Sequence, residues 1–280
     1  MSRLTDGHPR PTPIAAERGP AAGAVAAAAS RATGTSLTEV LQRAELQVRL
    51  DRKYLVAADR FSRLAELLAH ELDVLEIDES RSFAYESLYF DTPGLLTYRE
   101  HLEGRDDRFK VRTRAYLDVA EAMFEVKLAD PRKGTIKRRI GHPFRHRDRI
   151  TSGAWRHLSA VLGAAGRRAP RELAPSCVTA YRRATFVARD GSARLTCDHD
   201  LLVSSEDRAE RALSDHVLVE VKSAHGASFV DRALAALGLA PVSVSKYCVG
   251  MALLHPELPS GPWDALLERY FDRAPALAAA

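Results

Sequence analysis

The stretch from Arg108 to Tyr116, RFKVRTRAY, alternates like a β-strand but has an unusual second face. One face is an ordinary core face, made of Phe109, Val111, Thr113 and Ala115. The other face is a row of cations, Arg108, Lys110, Arg112 and Arg114. A strand of this kind must turn its basic side toward water or toward anions, and this requirement limits the folds that the chain can adopt.

The same pattern returns in several other segments of the chain. Segments 121–129 and 216–224 each place a glutamate and a lysine on one face and apolar residues on the other. Asp190-Gly191 joins two further alternating runs, and this dipeptide is a strong hairpin signal. About eight segments of this type follow one another, which predicts an antiparallel sheet.

Strands of this type are unfavourable side by side in an open sheet, because like charges on neighbouring strands destabilise their pairing. Closing the sheet into a barrel directs the charged faces into one shared, water-filled space. The apolar faces then point outward and need helices to cover them. We therefore predict an α+β fold, an eight-stranded antiparallel β-barrel tunnel with a charged lumen, jacketed by helices. The helices are expected near residues 58–72, 148–162, 229–237 and 263–271.

The composition divides the chain into one domain and two tails. Residues 1–36 are rich in Ala, Gly, Pro and Arg and lack aromatic residues, which predicts a disordered tail with at most a transient helix over Ala21–Ser30. The folded domain is predicted over residues 37–273, and a second disordered tail over residues 274–280.

Charge and composition exclude several classes of protein. A net charge of +4 and a pI near 9.0 permit an anionic partner without requiring one. Cys177, Cys197 and Cys248 form no Cys-x-x-Cys pair, which favours a cytoplasmic protein with free thiols over a zinc protein. We see no apolar run that could span a membrane and no signal peptide. Nucleic acid is not an expected partner, because no aromatic platform or recognition helix accompanies the basic residues.

The predicted lumen combines many cations with a few carboxylates. Arginine offers a planar fork for phosphate oxygens and lysine a mobile point charge, so a large cluster implies several adjacent phosphates. Carboxylates among them are typical ligands of Mg²⁺ or Mn²⁺, which also bind phosphate oxygens. Metal and cations together would stabilise the charge on a transferred phosphoryl group. The carboxylates of the predicted lumen are Glu45, Asp51, Glu125, Asp198 and Glu220.

The order of these motifs resembles the VTC domain, the catalytic part of polyphosphate polymerases in the triphosphate tunnel (CYTH-like) superfamily. The motifs are DRKYLV, YFDT, FKVRTRAY, FEVKLAD, KRR, YRRATF, ARLTCDHDL, LVEVK and SKY, and they span roughly residues 43–250. The resemblance implies an eight-stranded antiparallel tunnel that binds a divalent metal, usually Mn²⁺, with Mg²⁺ as the alternative. It also implies an ATP-polyphosphate phosphotransferase, which moves the γ-phosphoryl group of ATP to a growing polyphosphate chain.

The resemblance assigns roles to individual residues. The residues expected to be catalytic are Lys53, Arg112, Arg114, Lys127, Lys137, Arg183, Arg194 and Lys246. Further contacts to substrate are expected from Lys110, Arg139, Lys222 and Ser245. Glu220 matches the metal-binding glutamate, and Glu125 and Asp198 are the other candidate metal ligands. Ser245 and Lys246 are expected on the last strand of the sheet.

Two other functions remain open at this point. A hydrolase of the same tunnel class, acting on tripolyphosphate, a nucleoside triphosphate or thiamine triphosphate, would need carboxylates that activate a water molecule. The first strand lacks the E-x-E-x-K start typical of such hydrolases, which favours the polymerase. A non-catalytic polyphosphate-binding module would need the cations but not Glu220.

Overall fold

The computed structural model describes residues 19–43, 50–130, 134–224 and 226–271 of the chain. Within these residues, eleven strands join into one sheet and eight helices flank it. The strands are β1 (Thr33–Thr35), β2 (Leu50–Ala57), β3 (Leu72–Leu75), β4 (Phe83–Asp91), β5 (Phe109–Tyr116), β6 (Glu121–Asp130), β7 (Gly134–His142), β8 (Ala174–Ala188), β9 (Ala193–Ser204), β10 (Ala209–Ala212) and β11 (His216–Ser223). The helices are α1 (Pro20–Arg31), α2 (Leu37–Arg43), α3 (Ala58–Leu67), α4 (Leu96–Leu102), α5 (Ser152–Ala164), α6 (Phe229–Ala236), α7 (Lys246–Leu254) and α8 (Asp264–Tyr270). Short 3-10 turns lie at Leu117–Val119, Phe144–His146 and Gly261–Trp263.

Eight of the strands follow one another in the order β2-β11-β9-β8-β4-β5-β6-β7, and each neighbouring pair is antiparallel. β10 pairs with β9, and β3 joins β8 to the parallel strand β1. The predicted α+β fold with eight antiparallel strands and flanking helices is confirmed. The sheet curls into a half-barrel, and within the described residues β2 and β7, at its two ends, do not pair with each other.

The convex side of the sheet is apolar, and helices cover it. On one half, α1, α3 and α6 pack against β2, β8, β9 and β11 in a core that includes Val25 and Val219. On the other half, α5 packs against β5 and β6, where Leu158 and Phe124 belong to a second core. This arrangement reverses that of an ordinary small barrel, because the apolar sides of the strands face outward and the charged sides face inward.

The alanine-rich segment that we expected to be disordered contains a packed helix. α1 buries small side chains, including Ala21, Val25 and Ala28, against the outside of the sheet. The guanidinium group of Arg81 binds the carbonyl oxygens that end this helix. The structure therefore corrects the predicted domain boundary at residue 37, because residues 20–35 form a helix and a strand of the fold. Residues 1–18 and 272–280 lie outside the described part of the chain.

A second correction concerns the segment that contains Ser245 and Lys246, which sequence analysis placed on the last strand of the sheet. The segment forms helix α7, and Ser245 caps its N-terminus by accepting a hydrogen bond from the backbone N–H of Cys248. α7 is apolar on nearly all sides because it is buried against the concave side of the sheet, in a core with Tyr89 and Leu218. Gly250 permits this close packing, since an added Cβ would lie 3.0 Å from Cys177 Sγ.

The other predicted helices are present with small differences in length. The predicted helices at 58–72, 148–162, 229–237 and 263–271 correspond to α3, α5, α6 and α8. α3 ends at Leu67, short of the prediction, because the chain turns there and enters β3. No helix in the described ranges is both long and apolar enough to cross a membrane.

Replacing Ala28 with glutamate tests the packing of α1. The substitution places a charge in the apolar contact between α1 and the sheet, so we expect the free energy of unfolding to fall by about 3 kcal/mol or more. Ala27→Glu is the matched control, because Ala27 lies on the exposed side of the same helix. Urea denaturation followed by circular dichroism measures both variants, and equal stabilities would contradict the packed position of α1.

Candidate active site

The concave side of the sheet carries the residues predicted to form the site, and the strand register arranges them in rows. One row crosses β5, β6 and β7, where Lys110, Lys127 and Lys137 lie opposite one another. The next row on the same strands consists of Arg112, Glu125 and Arg139. Three lysines side by side repel one another, so this half of the concave surface has a strong excess of positive charge.

The other half of the concave surface is built on β2, β11, β9 and β8. One row there consists of Lys53, Glu220 and Thr196, and the next of Asp51, Lys222 and Arg194. Arg183 on β8 lies opposite Asp198 on β9. The predicted site residues therefore lie on these rows or at the start of α7, except Arg114, which lies further along β5 between Ser87 on β4 and Met123 on β6. Glu45 lies outside the described residues.

The curl of the sheet brings the two halves face to face. The positive charge of Arg112 is the largest influence that lowers the pKa of Lys127, followed by burial and by the charge of Arg114. Glu220, on β11 in the other half of the sheet, acts to raise the same pKa. Burial lowers the pKa of Lys110 in the same way, and Lys53 on β2 contributes to that shift. These influences between strands far apart in the sheet order agree with a single space shared by the two halves.

Glu125 is completely buried among the cations of β5, β6 and β7. Its Oε2 atom accepts hydrogen bonds from Nε and Nη2 of Arg112 at 2.8 and 2.5 Å, and Lys137 Nζ lies 3.5 Å from Oε1. Burial alone would raise the pKa of Glu125, but the attraction of Arg112, Arg114 and Lys137 outweighs it and holds the pKa well below the ordinary value. Glu125 therefore remains ionised and fixes the guanidinium group of Arg112.

Asp198 has the same role on the other half of the surface. Its Oδ1 and Oδ2 atoms accept hydrogen bonds from Nε and Nη2 of Arg183 at 2.5 and 2.8 Å, a bidentate pair. Oδ2 also accepts a hydrogen bond from Lys246 Nζ at 2.5 Å. Burial opposes ionisation, but Arg183 and Lys246 outweigh it and lower the pKa of Asp198 to about 2.

Tyrosines make further contacts with the arginines of the site. Arg112 Nη1 donates to Tyr89 Oη and Arg114 Nη2 donates to Tyr181 Oη, both at 3.0 Å. The guanidinium group of Arg183 lies over the rings of Tyr85 and Tyr181, 5.1 and 5.4 Å from their centroids. Sequence analysis had not assigned these tyrosines to the site. For Tyr181 a signal existed, because it lies two residues before Arg183 on the same strand face.

The N-terminus of α7 delivers Ser245 and Lys246 to the site. Ser245 Oγ accepts a hydrogen bond from Lys110 Nζ at 2.8 Å, and Lys246 reaches Asp198. Both residues thus come together with the predicted cations, although they belong to a helix and not to the last strand.

Buried Asp91 holds α7 in place. It accepts a hydrogen bond from the hydroxyl group of Tyr247 at 2.6 Å and also binds backbone N–H groups of α4. This network fixes the start of α7 relative to β4, which positions Ser245 and Lys246.

The carboxylates differ in their fitness to bind a metal ion. Glu125 and Asp198 do not fit this role, because each is buried and already held by two cations. Glu220 fits better, since Lys222 contacts its Oε1 atom and no hydrogen bond or ion pair reaches Oε2 from the described residues. The described residues contain no group of three or more His, Cys, Asp or Glu side chains that could hold an ion. Glu220 would therefore supply one ligand and bound phosphates the others, as is common for Mg²⁺.

The low pKa of Asp198 predicts how stability depends on pH. Because the pKa falls from 3.8 to about 2 on folding, the ion pairs of Asp198 contribute roughly 2 kcal/mol above about pH 4, and this contribution is lost as the pH falls toward 2. The difference in free energy of unfolding between the wild type and Asp198→Asn should therefore shrink as the pH is lowered from 5 to 2. Urea denaturation at a series of pH values measures it.

Asp106→Asn is the control, because Asp106 is exposed in a turn. A wild-type advantage over Asp198→Asn that stays constant down to pH 2 would contradict the ion pairs described for Asp198.

Comparisons with known proteins give a family match and several similar solved structures. A search of curated proteins finds no match. Similar solved structures include a putative adenylyl cyclase from Hippeastrum with a dominant triphosphatase activity, at 13% identity and a TM-score of 0.45 over 73% of this chain and 96% of that one. A conserved hypothetical protein from Pyrococcus furiosus is similar at 12% identity and a TM-score of 0.37 over 69% and 91% of the two chains. The family model of the VTC domain matches residues 48–255, which is most of the chain. The chain therefore belongs to the VTC domain family, and this membership supports an activity on triphosphate or polyphosphate.

Proposed function

We propose that the protein is a metal-dependent polyphosphate polymerase that transfers the γ-phosphoryl group of ATP to the end of a growing polyphosphate chain. Membership of the VTC domain family supports an activity on phosphate chains. The three free cysteines are buried, which is consistent with a reducing compartment such as the cytoplasm, where ATP is available.

The lysine row of β5, β6 and β7 is the observation that carries the proposal. Lys110, Lys127 and Lys137 lie opposite one another on adjacent strands, a placement that destabilises a sheet unless an anion lies over it. Lys127 and Lys53 on the facing half have no side-chain ion pair among the described residues. Several adjacent phosphates, as in ATP or polyphosphate, would neutralise the positive charge of this surface, whereas one phosphate group would not.

In the proposed reaction, a terminal phosphate oxygen of the acceptor chain attacks the γ-phosphorus of ATP. A new P–O bond forms there while the bond between the γ-phosphorus and the β,γ-bridging oxygen breaks, and ADP leaves. Arg112 and Arg183, held rigid by Glu125 and Asp198, would bind phosphate oxygens and stabilise the charge that develops on them. A divalent ion at Glu220, when bound, would withdraw charge from the same oxygens.

The state of the carboxylates favours a polymerase over a hydrolase. A hydrolase must activate water, for which it needs a carboxylate or histidine that can accept a proton. Glu125, Asp198 and Glu220 are each bound to a cation, and their pKa values lie below the ordinary range because of those cations, although burial opposes the shift. A phosphate oxygen on an acceptor chain is already ionised at neutral pH and needs no base.

Incubation of the purified protein with ATP and Mn²⁺ or Mg²⁺ tests this function. We expect ADP together with a ladder of polyphosphate on a gel. Release of free phosphate without a polyphosphate ladder would show that the protein is a tunnel-type triphosphatase and not a polymerase. Tight binding of polyphosphate without any turnover would indicate a non-catalytic binding module.

Substitutions in the lumen should separate activity from stability. Lys53→Met and Lys127→Met each remove a cation that contacts no carboxylate among the described residues, so kcat/KM for ATP should fall roughly 100-fold. Both variants should remain folded, because neither leaves a buried charge unpaired. Arg138→Met is the matched control, since Arg138 is exposed on β7 with Lys137 and Arg139 on either side of it. Equal activity of all three variants would contradict the assigned site.

A further inference from the structure

Lys222 forms an ion pair with Glu220, the carboxylate that is best placed to bind a metal ion. It lies two residues after Glu220 on the same face of β11, and its Nζ atom donates to Glu220 Oε1. The same ammonium group donates to Asp51 Oδ2 on the neighbouring strand β2 at 3.0 Å. Lys222 thus bridges two carboxylates, one inside the site and one at its edge.

Asp51 is the most exposed of these three side chains. The side chain of Lys222 is 12% exposed, that of Glu220 19% and that of Asp51 37%. If the ammonium group of Lys222 moved a short way toward Asp51, it would release Glu220 and keep Asp51 as its ionic partner. Such a movement is favourable for lysine, whose long side chain carries a mobile point charge.

An ammonium ion and a divalent ion compete for the same carboxylate oxygens. Each is attracted by the charge of Glu220, and each repels the other at contact distance. Lys53, directly opposite Glu220 on β2, adds a further positive charge to the same position. A divalent ion that approaches the free protein therefore meets a carboxylate that is already neutralised.

We propose, building on the function above, that Lys222 is an internal competitor of the metal ion at Glu220, and that Asp51 receives its ammonium group when the metal binds. This exchange keeps the affinity of the free protein for metal low. A triphosphate brings negative charge that offsets Lys53 and Lys222, so metal and triphosphate enter the site together. The metal-loaded nucleotide, and not the free ion, is then the species that the protein recognises.

Binding of Mn²⁺ in the absence of nucleotide tests the exchange, with free Mn²⁺ measured by electron paramagnetic resonance. We expect Lys222→Met to bind Mn²⁺ about tenfold or more tightly than the wild type, because the competing cation is gone. Asp51→Asn should bind Mn²⁺ more weakly than the wild type, because Glu220 is then the one ionic partner of Lys222 among the described residues. Glu220→Gln should lose the binding.

Lys127→Met is the matched control for the general effect of removing a positive charge. Lys127 is influenced by Glu220 but forms no ion pair with it, so its removal should strengthen Mn²⁺ binding less than threefold, roughly. An equal gain in Lys127→Met and Lys222→Met would overturn direct competition in favour of general electrostatics. Unchanged or weaker binding in Lys222→Met, with a wild-type thermal unfolding midpoint, would overturn the proposal as well.

The outcome is distinguishable from failure of the proposed function. Tighter Mn²⁺ binding by Lys222→Met supports the exchange even if the wild type makes no polyphosphate from ATP, a result that would reject only the polymerase. Wild-type Mn²⁺ binding by Glu220→Gln would overturn the exchange, because the ion would then bind elsewhere, while a polyphosphate ladder from the wild type would still support the polymerase.

Discussion

Repulsion among the cations of the concave surface is the constraint on which the rest of the structure depends. Three lysines lie directly opposite one another on β5, β6 and β7, and Lys222 lies opposite Arg194, so like charges weaken the pairing of these strands. Two buried carboxylates, Glu125 and Asp198, offset part of that charge, and each binds one arginine and one lysine. Removing either carboxylate would leave buried cations unpaired, which destabilises a folded protein. These two acids therefore belong to the framework of the site and not to its reactive groups.

The charged interior also determines how the outside of the sheet is built. Since the apolar faces of the strands point away from the site, helices must cover them, and α1, α3, α5 and α6 do so. The alanines of α1 suit this purpose, because small side chains let a helix pack closely on a curved sheet. α7 differs from these helices, since it packs on the concave side and brings its capped N-terminus to the cations.

The cations of the site fall into two groups with different roles. Arg112 and Arg183 are held by carboxylates and tyrosines, so their geometry is set before any ligand binds. Lys53 and Lys127 contact no carboxylate among the described residues, so in the proposed function they would be the cations available to phosphates. Preorganised donors lower the cost of binding a charged group, and mobile lysines would allow a chain of phosphates to move through the site. This division fits the proposed polymerase.

The sequence by itself determined which side of the strands carries the charged residues, because side chains alternate strictly along a strand, as they do in RFKVRTRAY. It also predicted the α+β class, the antiparallel sheet and, through the resemblance to the VTC domain, the set of cations. Only the tertiary structure decided which charges pair, since Arg112 meets Glu125 and Asp198 meets Lys246 only when particular strands become neighbours and the sheet curls. It likewise decided that the alanine-rich segment packs as α1 and that Ser245 begins a helix. Local patterns cannot encode such contacts between distant segments, because they depend on where the whole chain places those segments.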